Sequence, residues 1–155
     1  MSGYKIILVG ESNLTRSIIA EAILKQILHR KDITNVELLS RGMVVLFSEP
    51  ISPKAASVLH EHGCEEVTRR SAELTQEDID GADLILTMGK NDVNHLKEHF
   101  ETRASCMFVG TFIDMDEEIP DVTEDTIEAY EACYQAANQA MEAVAERLIL
   151  ELITV

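Results

Sequence analysis

At 155 residues, with 46% hydrophobic and 26% charged side chains, the chain has the makeup of an ordinary globular domain that can bury a core. A formal net charge of −15 excludes the usual route to nucleic acid, in which Lys and Arg release counterions from phosphates. No apolar run approaches the roughly 18 residues that cross a membrane, and three cysteines without CxxC spacing imply reduced thiols.

MSGYKIILVG begins a strand almost at once and does not read as a signal peptide, so the expected compartment is cytoplasmic. YKIILVG (4–10) reads as a buried strand. From Ser17 to about His29, Ile19, Ala20, Ile23, Leu24, Ile27 and Leu28 keep the helical stripe. VELLSRG (36–42) is the second strand, and 44–53 a loop. Ser52-Pro53 opens a helix that Gly63 stops. Thr75 with Asp78 forms a capping box for a short helix ending near Gly81. ADLILTM (82–88) is the third strand, Asn91 caps a helix over 92–100, and ASCMFVGTF (104–112) is the fourth strand. After an acidic loop, Asp125 with Glu128 caps the last helix, whose apolar face holds Ile127, Tyr130, Tyr134, Ala137, Met141, Val144 and Leu148. Strands alternating with helices predict an α/β fold with a parallel sheet, and no linker or repeat divides residues 1–155.

The chemistry concentrates in VGESNLTRSIIAEAIL (9–24). A strand-to-helix turn aims free backbone N–H groups into a hollow, where the helix dipole favours an anion. Arg16 adds a bidentate donor, Ser17 can cap the helix, and Asn13 can bond across the loop. The plain alternative is an ordinary capped helix with a solvent-facing arginine.

This segment resembles the phosphate-binding loop of the low-molecular-weight protein tyrosine phosphatases, V-C-x-x-N-x-C-R-S-P-x-A-E-A, matching at Val9, Asn13, Arg16, Ser17, Ala20, Glu21 and Ala22. The likeness continues through LLSRG (38–42), SEPISPKAASVLHEHG (48–63), RRSAELTQEDIDGADLILTMGKND (69–92) and IPD (119–121). It implies a three-layer fold with a twisted four-stranded parallel sheet, flanking helices and the loop at the carboxyl end of strand one. It also implies a cysteine thiolate as nucleophile, the arginine as phosphoryl binder and an aspartate as general acid; for this chain no cofactor and no metal are expected.

Here the nucleophile position is Gly10 and the second loop cysteine is Thr15; Ser12 replaces the loop glycine and Ile18 the proline. Asp121 keeps the general-acid position, but Val122-Thr123 follow it; Arg69 and Ala72 replace the histidine and second arginine of the H-R-S-R segment. The scaffold is kept and the working parts are lost, which reads as a catalytically silent relative. Its anion site would comprise the backbone of Glu11 and Leu14 with Ser12, Asn13, Thr15, Arg16 and Ser17. The partner would be phosphate or a phosphorylated molecule, and a homo-oligomer stays open. Two alternatives remain: a hydrolase using a hydroxyl of Ser12 or Thr15, and a structural module with a vestigial pocket. Glu11 either points past the rim or turns inward to pair with Arg16. His60 and His62, spaced i, i+2, face apart, while His95 and His99 can share a face without a third zinc ligand. The acidic run from Asp114 to Asp121 lacks the glycine of an EF-hand loop and reads as solvated. Cys64, Cys106 and Cys133 read as small buried hydrophobes.

Overall fold

Four parallel strands, in the order β2-β1-β3-β4, form one sheet at the centre of the fold. The structure is a computed structural model that describes residues 3–65 and 70–152. The strands are β1 (Tyr4–Gly10), β2 (Val36–Gly42), β3 (Leu84–Thr87) and β4 (Ser105–Phe108). The helices are α1 (Arg16–Arg30), α2 (Pro53–Glu61), α3 (Gln76–Asp80), α4 (Asp92–His99), α5 (Val109–Ile113) and α6 (Ile127–Leu152). This is the α/β fold with a parallel sheet that the alternation of strands and helices predicts, in the three layers that the resemblance implies.

The period-2 geometry of β1 divides its side chains between two cores. Ile6 and Leu8 pack with α1, α2 and α6, whereas Ile7 and Val9 pack with Leu74, Ile79, Ile85 and Leu96 on the side of α3 and α4. Both faces of β1 are therefore apolar, as a central strand of a parallel sheet requires. The register pairs Gly10 with Gly42, so β1 and β2 end together and the loop after β1 leaves from the sheet's carboxyl edge.

Most helix ends follow the expected signals. Ser52 accepts from the Lys54 amide at 3.3 Å, and Thr75 and Asp78 complete a reciprocal capping box. Gly63, at φ 79°, ends α2, and the Cys64 amide returns to the Leu59 carbonyl at 2.9 Å.

Four details differ. The run 104–112 is not one strand: it is strand only to Phe108, and Val109–Ile113 forms the short helix α5. A continuous apolar run has no period to separate a buried strand from a buried helical turn. Asn91 makes no side-chain cap at α4. The cap of α6 is Thr126 rather than Asp125, its hydroxyl accepting from the Ala129 amide at 3.1 Å, while Asp125 reaches Lys54 at 2.9 Å. Ile127, at the first turn of α6, is 41% exposed, whereas Tyr130 through Leu148 along the same stripe are buried. No described helix is long and apolar enough to cross a membrane.

Removing a working N-cap costs about 1 kcal/mol, whereas an exposed ion pair contributes little. Thr126→Ala is therefore expected to lower the unfolding free energy by about 1 kcal/mol in urea titrations, and Asp125→Ala by clearly less.

Candidate functional site

The loop between β1 and α1 is shaped by one buried side chain. Asn13 is 1% exposed and sits in the left-handed region at φ 58°, which asparagine tolerates better than most residues. Its amide nitrogen donates to Ser17 Oγ and to Ser40 Oγ, each at 2.9 Å, and its Oδ1 accepts from the Ala72 amide at 3.0 Å. One residue thus ties the loop to α1, to β2 and to the segment before α3.

The network continues inward. Ser40 Oγ donates to Glu21 Oε1 at 2.6 Å, and Lys25 Nζ reaches Glu21 Oε2 at 2.6 Å from one turn further along α1. Glu21 is 5% exposed, and Lys25 carries its charge partner out to solvent. A buried carboxylate is tolerable only with such partners.

Two glycines allow close approach here. A Cβ at Gly42 would lie 2.8 Å from the Ser12 carbonyl carbon, so only glycine lets the loop lie on β2. A Cβ at Gly10 would lie 3.0 Å from Ser17 Oγ and 3.2 Å from Ser17 Cβ. The Gly10 and Glu11 carbonyls accept from the Met43 and Val44 amides, both at 2.9 Å, and so turn away from the hollow. Among the described residues, the amides of Ser12, Leu14, Thr15 and Arg16 donate to no carbonyl or side chain. Thr15 occupies the cap position of α1 without a side-chain cap bond, and Ser17, buried, receives Asn13 rather than capping the helix.

Gly10, Glu11, Ser12, Asn13, Thr15, Arg16, Ser17 and Asp121 together line a hollow of about 30 Å³. Seven of these positions are consecutive or nearly so; Asp121 arrives from the segment before α6. Arg16 Nε lies 3.8 Å from Asp121 Oδ1, and its Nη1 donates to the Ile119 carbonyl at 3.4 Å. Asp121 is half exposed, and its Oδ1 also accepts from the Val122 amide at 2.9 Å. Leu14 lies beside the hollow, in the neighbouring groove. Glu11 is exposed, and the ion pair of Arg16 is with Asp121.

Asp92, at the first turn of α4, escapes sequence reasoning. Burial pushes its carboxyl up; the Gly89 backbone and the Arg16 charge pull it down, and Glu11 and Glu118 push it up. Its Oδ2 is buried without a hydrogen-bond partner among the described residues. The available signal was topological: β3 ends beside β1, and open α/β sheets gather ligand groups at the carboxyl ends of their strands.

Of the other candidates, Arg69 lies outside the described residues, and Ala72 serves through its backbone. His62 bonds Glu131 and stacks on Tyr134 at 3.8 Å, while His95 and His99 stack on each other at 4.2 Å. No group of three or more potential metal ligands occurs among the described residues. Cys64 and Cys133 are buried, and Cys106 is half-buried. Burial pushes the Cys133 thiol up to about 11, which keeps it a poor nucleophile despite the nearby Arg16 charge.

A family model described as low molecular weight phosphotyrosine protein phosphatase matches residues 5–152, and the chain belongs to that family. It is 30% identical over 150 residues to a protein-arginine-phosphatase of Geobacillus stearothermophilus, spanning 96% of this chain and 98% of that protein. It is also 30% identical over 144 residues to the low molecular weight protein-tyrosine-phosphatase Etp of Escherichia coli K12, spanning 92% and 93% respectively. The solved structure of Vibrio vulnificus Wzb in complex with benzylphosphonate matches with a TM-score of 0.82 at 29% identity, over 94% of this chain and 99% of that one.

Two variants probe the site's framework. Asn13→Ala breaks three hydrogen bonds and puts alanine at φ 58°, so the unfolding free energy in urea is expected to fall by roughly 2–4 kcal/mol. Asp92 has a folded-state pKa above its unfolded value, so its carboxylate opposes folding increasingly as pH rises through the acid range. Asp92→Asn is therefore expected to raise Tm at neutral pH, with the gain shrinking as pH falls and wild-type Asp92 becomes protonated. A gain that persists unchanged in acid would contradict this account.

Proposed function

We propose that this chain is a binding member of its family, with an anion loop and no turnover. One observation carries the reading: the nucleophile's place holds Gly10, and Ser17 occupies the space beside it, close enough that even a Cβ there is crowded. Removing a covalent nucleophile costs on the order of 10⁶ in turnover in serine proteases, and the Asp121 carboxyl has no covalent intermediate to assist.

The loop amides, the N-terminal end of α1 and Arg16 are the groups that would receive an anion. The hollow of about 30 Å³ has room for only one or two waters. A phosphoryl group entering it displaces the Arg16–Asp121 contact, which at 3.8 Å and half exposed is weak. That benzylphosphonate is the ligand of the Wzb complex supports a phosphoryl-type ligand for this site. The arginine phosphatase and the tyrosine phosphatase are comparably similar, so the identity of the phosphorylated side chain is left open between them. On this reading residues 1–155 act as one domain, with Glu11, Ser12, Asn13, Leu14, Thr15, Arg16 and Ser17 forming the loop and Asp121 its lid.

The test pairs turnover with binding. Wild type is expected to release no nitrophenol from para-nitrophenyl phosphate, yet to gain stability with inorganic phosphate or benzylphosphonate. A ligand at 100 times its Kd adds about 2.7 kcal/mol, a Tm rise of roughly 5–10 °C, which Arg16→Ala should abolish. Turnover that disappears in Arg16→Ala overturns the silent reading, and Ser12→Ala and Thr15→Ala then locate the hydroxyl responsible. No Tm change with either ligand reduces the loop to a structural remnant. Gly10→Cys must push Ser17 aside by a few tenths of an ångström, so we expect a lower Tm, by a few degrees, together with measurable turnover.

A further inference from the structure

At the far edge of the sheet from β2, β4 pairs with β3 on one side and, among the described residues, with no strand on the other. Its sequence, SCMF, holds neither proline nor a charged side chain, the usual guards of an open edge. Ser105 is exposed and Cys106 and Met107 are half-buried, so this edge is open to solvent. Among the described residues, no group outside the ladder to β3 bonds the backbone of Ser105, Cys106 or Met107. A groove of about 680 Å³ lies here, with Cys106, Met107 and Phe108 in its lining. That is the volume of a ligand site.

Two layers meet at the groove, and they bring opposite charge. α4, whose Leu96 packs with Ile7, Val9 and Ile85, contributes Lys97, and the turn before it contributes Lys90. α5, whose Val109 and Phe112 pack in the other core, is followed by Asp114 and Asp116. Lys90 Nζ stands 5.9 Å from the Phe108 ring centroid. Burial pushes the Cys106 thiol up and the Lys97 charge opposes it, so both ammonium groups are close to the strand. Arg16, Lys25, Arg30, Arg41, Lys54 and Arg147 each have a carboxylate partner. Lys90 and Lys97 have none among the described residues, on a chain with 28 acidic side chains against 13 Lys and Arg.

This arrangement selects its occupant. A strand added at the edge sends successive side chains to opposite faces, hence alternately to the lysines and to the aspartates. A uniformly acidic or basic segment is matched on one face and repelled on the other. A second copy is opposed as well: a two-fold axis normal to the sheet sets both α4 layers on one face, lysines against lysines and aspartates against aspartates.

We propose that the open edge of β4 takes up an extended segment of a partner protein in which acidic and basic residues alternate. Its backbone bonds β4, its acids face Lys90 and Lys97, and its bases face Asp114 and Asp116. This holds whether or not the loop after β1 takes an anion, so the probe carries no phosphate.

The experiment follows fluorescence anisotropy of a fluorescein-labelled peptide, GTEKEKTG, titrated with the whole protein. Saturable binding is expected, and GTEEKKTG, which keeps the composition and loses the alternation, should bind at least about fivefold more weakly. Lys90→Gln/Lys97→Gln and Asp114→Asn/Asp116→Asn should each weaken binding of GTEKEKTG roughly tenfold. All four side chains are exposed and asparagine suits the φ of 58° at position 114, so Tm measurements should show intact folds. N-methylation of alternate peptide residues separates strand pairing from charge alone. Methyl groups on the amides aimed at β4 should abolish binding, and those in the other phase should leave it unchanged. Arg16→Ala should also leave it unchanged, which separates this proposal from the anion reading. No saturable binding by wild type overturns the proposal, as does equal binding of GTEEKKTG, indifference to either pair of substitutions, or equal effects of the two methylation phases. A concentration-dependent dimer in sedimentation velocity that the peptide dissociates would also overturn it, by making a second copy the occupant.

Discussion

The loop after β1 owes its shape to the side chain of Asn13, and the site depends on that shape. A buried amide is costly unless its donors and acceptor are used. Here the nitrogen serves Ser17 and Ser40, and the oxygen serves the Ala72 amide. These partners come from α1, β2 and the segment before α3, three separate pieces of the fold. From Ser40 the chain of bonds runs to the buried Glu21, and from there to solvent through Lys25. Nothing in it involves the side chain at position 10. The bonds that hold the loop are therefore separate from any side chain at position 10, which lets Gly10 stand at its head, with Ser17, one of their members, close beside it.

That separation explains where the sequence departs from the family pattern. Positions that hold the framework tolerate little: Gly42 must lack a Cβ because the Ser12 backbone lies on it, and Asn13 must accept a left-handed backbone. Among the positions that line the hollow, Gly10, Ser12 and Thr15 depart from the family pattern, while Asn13, Arg16, Ser17 and Asp121 keep it. Burial and the neighbouring carboxylates Glu11 and Glu118 act together on Asp92, with Arg16 the opposing cation. On a chain of net charge −15, an anion in this loop would rely on short-range donors, because the amides and the helix terminus act over one turn while the overall field opposes it.

Much of this was legible in the sequence because the signals are local. The α1 stripe from Ile19 to Leu28 is buried as its spacing requires, and the Ser52 and Thr75 caps fall where the helical runs begin. The loop residues are consecutive, so their gathering followed from a single turn. The failures have a common origin in competition between equivalent local signals. Asp125 and Thr126 are both good cap residues one position apart, and the winner was set by Lys54, which draws Asp125 away. The apolar run 104–112 carries no period, so its break at Phe108 depended on how the chain turns into α5. Asp92 and the Ser40–Glu21 link needed the sheet order, since Asp92 and Ser40 lie far from the loop in sequence. The direction of Glu11 was open for the same reason: it follows from Arg16 having Asp121 as its ion partner, 105 positions further along by the numbering of the pair.

Gly10 and Ser17 bear on what the missing side chain means. A deletion in a packed interior normally leaves a void, because surrounding atoms relax only partly. Here the space is not left open: Ser17 Oγ stands 3.0 Å from where the Cβ would be, fixed there by the Asn13 amide. The same hydroxyl, accepting from Asn13, retains its own proton to donate. On the proposed reading, that hydroxyl and the amides of Ser12, Thr15 and Arg16 serve to hold an anion, with the Arg16 guanidinium and the Asp121 carboxyl beside them.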